Sequence, residues 1–256
     1  MLFETDHLNA QCLEQLASGK LLAVRVRKFV PRDTAGHLGE KIIDHGFDKY
    51  TNAPSIGRIG MAFYEAENKP QRMTEYFETV FDNIEELRRR CTPFLSPIDF
   101  LRCRLDEVWP AGAHLETLYG KKMSVGLSRV VKPGTTFLAH HDIFSKDAPD
   151  SFKAMSLQAQ LSANTYLRMP TKGGALQIWN KEIPPKEFDE MRGESYGIEP
   201  SLLGAPKLEL HPKVGDLLLF DSRKMHSVTS GTDNLRLSLS CFIGYRGPAC
   251  PLSFWS

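Results

Sequence analysis

His140 and Asp142 stand two positions apart in mid-chain, and His226 and Arg236 follow nearer the C-terminal end of a 256-residue sequence. Two imidazoles and one carboxylate are the facial ligand set that holds non-haem Fe(II) and leaves coordination positions open. On an extended strand, residues i and i+2 point to the same side. His140 and Asp142 would then aim at one point, while His141 would face away. His226 follows the apolar run 217–220 across a short turn and would bring the second imidazole from another strand. A planar guanidinium matches a carboxylate through two parallel hydrogen bonds, so Arg236 is suited to hold an organic co-substrate. Such a set fits an oxygenase.

Strands must present these groups, and the hydrophobic pattern supplies them. Residues 156–168 alternate strictly, with Leu157, Ala159, Leu161, Ala163, Thr165 and Leu167 on one face. Gln158, Gln160, Ser162, Asn164, Tyr166 and Arg168 form the other. Residues 235–243 repeat the pattern, with Arg236, Ser238 and Ser240 opposite Leu235, Leu237, Leu239, Cys241 and Ile243. In both segments the polar row could line a site or face bulk water. Further strands are expected at 123–131, 136–142, 175–180, 207–210 and 216–220, separated by Pro-Gly, Gly-Gly and Val-Gly-Asp turns. Residues 183–206 interrupt them and read as an insertion over one rim.

The first ~110 residues carry a helical period instead. Over 71–90, Met73, Tyr76, Phe77, Val80, Phe81, Ile84 and Leu87 form one stripe. A second helix opens at Ser96-Pro97-Ile98-Asp99, with a hydroxyl cap and a proline in the first turn. It should carry Phe100, Leu101, Leu105 and Val108 inward. The expected fold class is α+β, mainly β with a helical N-terminal half, a jelly roll buttressed by helices. No repeat or low-complexity linker divides the chain, so 1–256 reads as one domain, with 1–122 mostly helical support and 123–256 the jelly-roll core.

Composition narrows the partners. The net charge is +1, from 32 basic and 31 acidic residues, and no long run of one sign is present. A nucleic-acid groove and a polybasic membrane patch are therefore disfavoured. The five cysteines are odd in number and include no C-x-x-C pair, which favours a reducing cytoplasm over a disulfide framework. No stretch has the length of a membrane span. A small-molecule partner is expected, with the oligomeric state left open.

The ordered motifs Leu138-Ala139-His140-His141-Asp142, Tyr166-Leu167, Gly173-Gly174-Ala175-Leu176, Gly215-Asp216-Leu217-Leu218, His226-Ser227-Val228 and Arg236-Leu237-Ser238 resemble the Fe(II)/2-oxoglutarate-dependent oxygenase superfamily. The resemblance is nearest to its prolyl 4-hydroxylase-like branch and covers roughly half the chain. It implies a double-stranded β-helix, cupin-like, with His140, Asp142 and His226 as metal ligands. Arg236 would bind the C5 carboxylate of 2-oxoglutarate, with Tyr166 and Ser238 beside it. Fe(II), 2-oxoglutarate and O2 are the implied cofactor and co-substrates, with ascorbate as a stimulant. The implied reaction converts 2-oxoglutarate to succinate and CO2 while a substrate C–H is oxidised. Halogenating members replace the carboxylate ligand with a small residue, so Asp142 points to hydroxylation, with desaturation and ring closure left open. Dealkylases acting on nucleic acids carry Arg-x-Asn-x-Thr-x-Arg after the second histidine, where this chain has Arg236-Leu-Ser-Leu-Ser. A free amino acid or natural-product intermediate is the expected substrate. Candidate substrate contacts are His141, Arg129 and Trp179, with Arg192 and Tyr196 from the insertion. The alternatives are a hydroxylase acting on a protein residue and a non-catalytic cupin-like binding protein.

Overall fold

The two longest alternating segments of the sequence become the two longest strands, paired antiparallel in the middle of the main sheet. In the computed structural model the residues described are 1–49, 56–66 and 69–256. The strands are β1 (Leu2–Thr5), β2 (Ala23–Val26), β3 (Asp48–Lys49), β4 (Ile56–Ile59), β5 (Ala113–Leu115), β6 (Thr117–Leu118), β7 (Lys121–Lys122) and β8 (Leu127–Val131). They continue as β9 (Ala159–Arg168), β10 (Leu176–Ile178), β11 (Leu208–Leu210), β12 (Leu217–Asp221), β13 (His226–Val228), β14 (Arg236–Tyr245) and β15 (Leu252–Trp255). The helices are α1 (Ala10–Ala17), α2 (Arg32–Asp44), α3 (Pro70–Glu78), α4 (Val80–Cys91), α5 (Pro97–Val108), α6 (Phe144–Asp147), α7 (Phe152–Met155) and α8 (Pro185–Arg192).

The main sheet runs β1-β2-β12-β9-β14-β8-β4-β3, and a smaller sheet runs β11-β10-β13. Between them lies an inner apolar cluster that includes Ile56, Leu127, Val131, Leu218 and Phe220 from the large sheet, with Leu176, Ile178, Leu210 and Val228 from the small one. The larger core fills the opposite face of the main sheet, where Leu161, Ala163, Leu217, Leu219, Leu237 and Leu239 meet α1, α2 and α5. Two sheets enclosing an interior, with helices on one outer face, make a double-stranded β-helix. Leu219 is fully buried on the helix side. Leu219→Ala should cost about 2–5 kcal/mol, read as a lower urea midpoint at unchanged m-value.

Several local expectations change. The N-terminal half is not only helical: β1, β2 and β4 join the main sheet, with β2 beside β12 and β4 beside β8. The 71–90 stripe is two helices rather than one. At Thr79 the backbone leaves helical geometry (φ −98°, ψ 6°), and the Thr79 hydroxyl donates back to the Glu75 carbonyl at 2.9 Å, a bond that competes with the helical ladder. The break turns Phe81 outward, 65% exposed, although Tyr76, Val80, Ile84 and Leu87 are buried. Ser96 caps α5 as expected, its Oγ accepting from the Ile98 amide at 3.3 Å. On that helix Leu101 and Leu105 are buried, but Phe100 lies at the surface against Phe29, with ring centroids 4.9 Å apart.

Residues 136–142 form no named strand. Ala139 and His140 make isolated bridges to Ile198 and His226, because their neighbours are the short β13 and the 183–206 segment. That segment contains α8 and a 3-10 turn, Pro200–Leu203. Gly197 lies so close to this stretch that a Cβ would meet the Ala139 oxygen at 2.7 Å.

Candidate metal and co-substrate site

The backbone itself joins the two ligand-bearing segments. His140 and His226 exchange both amide-to-carbonyl hydrogen bonds, each 2.9 Å. Two residues on, the Asp142 amide donates to the Ser222 carbonyl at 2.9 Å, and the Ser222 hydroxyl bonds the Asp142 carbonyl. Gln160, on the inward row of β9, accepts from the Phe144 amide and fixes the chain as it leaves Asp142.

These ties bring one ligand atom each from His140, Asp142 and His226 within 4.8 Å of one another. The His140 and His226 rings are 4.3 Å apart between centroids, and His226 Nε2 lies 3.5 Å from Asp142 Oδ2. Both histidines bond a backbone carbonyl two residues earlier through Nδ1, His140 to Leu138 at 2.8 Å and His226 to Lys224 at 2.9 Å. That contact requires the proton on Nδ1 and leaves the Nε2 lone pair to a metal, the usual way a metal-binding histidine is oriented. Burial, and next the charge of His226, push His140 down to about 4, so it is neutral near pH 7. Burial alone would raise Asp142. The contact with His226 and the neighbouring His140 and Arg129 outweigh it and hold the carboxyl well below its ordinary range. Two imidazoles and a carboxylate are a donor set that fits Fe(II).

The polar rows that could have faced water are buried. Ser162, Asn164 and Tyr166 on β9 and Arg236, Ser238 and Ser240 on β14 are all at most 6% exposed. Ser238 is in register with Tyr166 on one side and Arg129 on the other, and Arg236 with Val131. The Arg236 guanidinium lies 5.0 Å from the Tyr166 ring centre, and its Nη2 donates to the Tyr166 hydroxyl at 3.4 Å. Among the described residues no carboxylate pairs with Arg236, and Arg236 Nε and Ser238 Oγ have no hydrogen-bond partner. Burial depresses the Arg236 pKa, with Tyr166 partly offsetting it. A buried cation without an anion is costly, and a ligand carboxylate would supply the missing partner. The residues therefore fit both groups, a metal and an anionic co-substrate.

A cavity of about 530 Å³ opens at His140 and Asp142, lined also by Ile56, Tyr64, Arg129, Phe137, His141, Lys146, Phe188, Arg192 and Tyr196. Its size falls in the roughly 300–1,000 Å³ range of small-ligand sites. A larger depression, about 740 Å³, lies on the far side against α5. It is shallow and holds none of these residues.

Of the expected substrate contacts, Arg129, Arg192 and Tyr196 line the cavity. His141 lines it too, instead of facing away, because the segment is not a regular strand. Trp179 does not line it. Its ring packs with Ile183, Phe188, Ile198 and Met225, and its indole N–H donates to the Gly204 carbonyl at 2.9 Å. Phe188 and Lys146 were not anticipated. Phe188 is the buried apolar residue of a strongly charged helix, which is the one sequence signal that could have marked it.

The family model of the 2OG-Fe(II) oxygenase superfamily matches residues 125–244. The L-gamma-glutamyl-L-propargylglycine hydroxylase of Streptantibioticus cattleyicolor is 27% identical over 242 residues, covering 91% of this chain and 87% of that protein. Leucinostatins biosynthesis cluster protein S of Purpureocillium lilacinum is 28% identical over 209 residues, covering 77% and 83%. Among solved structures, the N-substituted L-amino acid dioxygenase of Burkholderia ambifaria superposes with a TM-score of 0.64 at 19% identity, covering 96% of this chain and 91% of that one. Residues 125–244, just under half of the chain, match the 2OG-Fe(II) oxygenase superfamily, and that similarity supports an enzyme dependent on Fe(II) and 2-oxoglutarate.

Proposed function

We propose that His140, Asp142 and His226 hold the iron, that Arg236 takes the C5 carboxylate of 2-oxoglutarate with Tyr166 and Ser238 beside it, and that the enzyme hydroxylates an aliphatic C–H of an amino acid or small amino-acid conjugate. The observation that carries this reading is the cavity, which His140 and Asp142 line together with Arg129, Lys146 and Arg192. Cations in a site of this size suit a small carboxylate-bearing molecule better than a protein segment. The hydroxylase named for a gamma-glutamyl dipeptide supports the same substrate class. When bound, iron, 2-oxoglutarate and O2 together supply the oxidation: 2-oxoglutarate, O2 and R–H become succinate, CO2 and R–OH. The chain's own residues bind and orient. Arg236 and Tyr166 fix one end of the co-substrate, the inner apolar cluster around Phe220 and Val228 excludes water, and Arg129 anchors the substrate carboxylate.

The domain and compartment readings follow the same lines. Strands from both ends of the chain, β1 and β14, share the main sheet, which supports one oxygenase domain over 1–256. All five cysteines are unpaired, which supports a reducing cytoplasm. Among the described residues no helix is long and apolar enough to cross a membrane.

Succinate release measured with a panel of aliphatic amino acids and their gamma-glutamyl conjugates tests the substrate class. At least one should raise succinate several-fold above the substrate-free rate and yield a product heavier by one oxygen atom. Stimulation by peptides or proteins alone would contradict it.

A further inference from the structure

His141 has no task in the reading above, and its surroundings give it one. It is 7% exposed and lines the cavity between two proposed iron ligands in sequence, yet neither ring nitrogen has a hydrogen-bond partner among the described residues. Buried polar groups are ordinarily satisfied, and an exception calls for a cause. A histidine serving only the core would have its nitrogens paired with backbone or side chains nearby.

The ring is also held in place. Phe188 of α8 lies against it, centroids 4.2 Å apart with the planes tilted by 41°. Phe188 is itself 3% exposed. The Lys146 ammonium and Arg192 guanidinium lie 5.7 and 6.0 Å from the centre of the Phe188 ring. Both cations share the Asp189 carboxylate, at 2.8 and 2.7 Å. The rest of the 183–206 segment is clipped to the ligand-bearing stretch. Ala139 and Ile198 exchange backbone hydrogen bonds of 2.8 and 2.9 Å, and the Tyr196 hydroxyl accepts from the Leu138 amide at 2.8 Å. The insertion is thus a docked wall of the cavity. An imidazole fixed in this way, with unsatisfied nitrogens, is prepared to read a ligand.

We propose that His141 is a specificity-determining residue, donating a hydrogen bond to an acceptor oxygen of the substrate, carboxylate or amide carbonyl, and that Phe188 is the positioning residue that fixes its ring. The proposal rests on the reading of the cavity as the substrate site of an amino-acid oxygenase. One residue from each of two proposed ligands, such a bond sets which substrate carbon faces the metal.

The test uses nickel-substituted protein with 2-oxoglutarate and measures binding of L-isoleucine, its carboxamide and gamma-glutamyl-L-isoleucine by calorimetry, beside KM and kcat for the iron enzyme. His141→Phe keeps the contact with Phe188 and removes both nitrogens. It should raise the substrate Kd and KM by about tenfold or more, the scale of one lost hydrogen bond, with metal content and 2-oxoglutarate affinity retained. His141→Gln keeps a donor and should recover part of the loss, and Phe188→Leu should give a smaller rise than His141→Phe. A loss seen with L-isoleucine but not with its carboxamide identifies the carboxylate as the group read; a loss confined to gamma-glutamyl-L-isoleucine identifies its amide carbonyl. Substrate Kd within about twofold of the parent in His141→Phe would overturn the proposal, as would parallel loss of metal or 2-oxoglutarate. If the parent binds the panel without turning it over, the hydroxylase reading fails, while the same shift in Kd still supports His141.

Discussion

Replacing Arg236 by glutamine is expected to weaken 2-oxoglutarate binding more than any other single change in the co-substrate site. The guanidinium is buried, lies over the Tyr166 ring and donates to its hydroxyl, and leaves Nε without a hydrogen-bond partner among the described residues. Truncating one side of a buried charged contact typically costs about 2–5 kcal/mol, which is roughly thirty- to several-thousand-fold in affinity. Arg236→Lys keeps the charge and loses the two-pronged geometry, so affinity should fall in the order Arg, Lys, Gln. Fe(II) binding without co-substrate should be nearly unchanged, because the three proposed ligands come from other segments. Titration of 2-oxoglutarate against succinate formation reads the effect. An unaltered requirement in Arg236→Gln would mean that another cation, Arg129 first, holds the C5 carboxylate.

His140→Ala and His226→Ala should abolish Fe(II)-dependent turnover while the fold survives. Changing a partner of a ligand already costs 10–100-fold in metal affinity or activity, and removing a ligand should cost more than about 100-fold. The fold is expected to persist because the two residues are joined through backbone hydrogen bonds that alanine retains. Asp142→Gly removes the carboxylate and should lose most hydroxylation, with added formate able to restore part of it. Metal content and rate at saturating iron are the measurements; parent-like rates in either histidine variant would remove that residue from the site.

The positions of these groups were legible for different reasons. His140, Asp142, His226 and Arg236 could be named from type, spacing and order, and the structure brings the first three together. Whether Ser162, Asn164, Arg236 and Ser238 faced water or an interior could not be read, since alternation gives the same pattern in both cases. Only the small sheet across the interior decides it, and its strands are three residues each, too short for a strong period. The same shortness explains 136–142, which was expected to be a strand and holds its place through two bridges. Trp179, on the expected strand 175–180, is a candidate substrate contact from the sequence, but its ring packs away from the cavity. Nothing in its neighbours signalled that Gly204, far along the chain, would take its indole proton. Phe81 and Phe100 fit their helical stripes, but a break at Thr79 and contact with Phe29 lie outside what a period can show. The 183–206 segment reads as an insertion over a rim; of its docking contacts through Ala139, Leu138 and Phe188, only Phe188, apolar in a charged helix, leaves a sequence signal.

The most direct measurement is a crystal structure grown anaerobically with Fe(II) and 2-oxoglutarate. The account predicts metal density among His140 Nε2, Asp142 and His226 Nε2, with the C5 carboxylate of 2-oxoglutarate on the Arg236 guanidinium and beside the Tyr166 hydroxyl. Metal held by other residues, or the C5 carboxylate on Arg129 with Arg236 still unpaired, would contradict it.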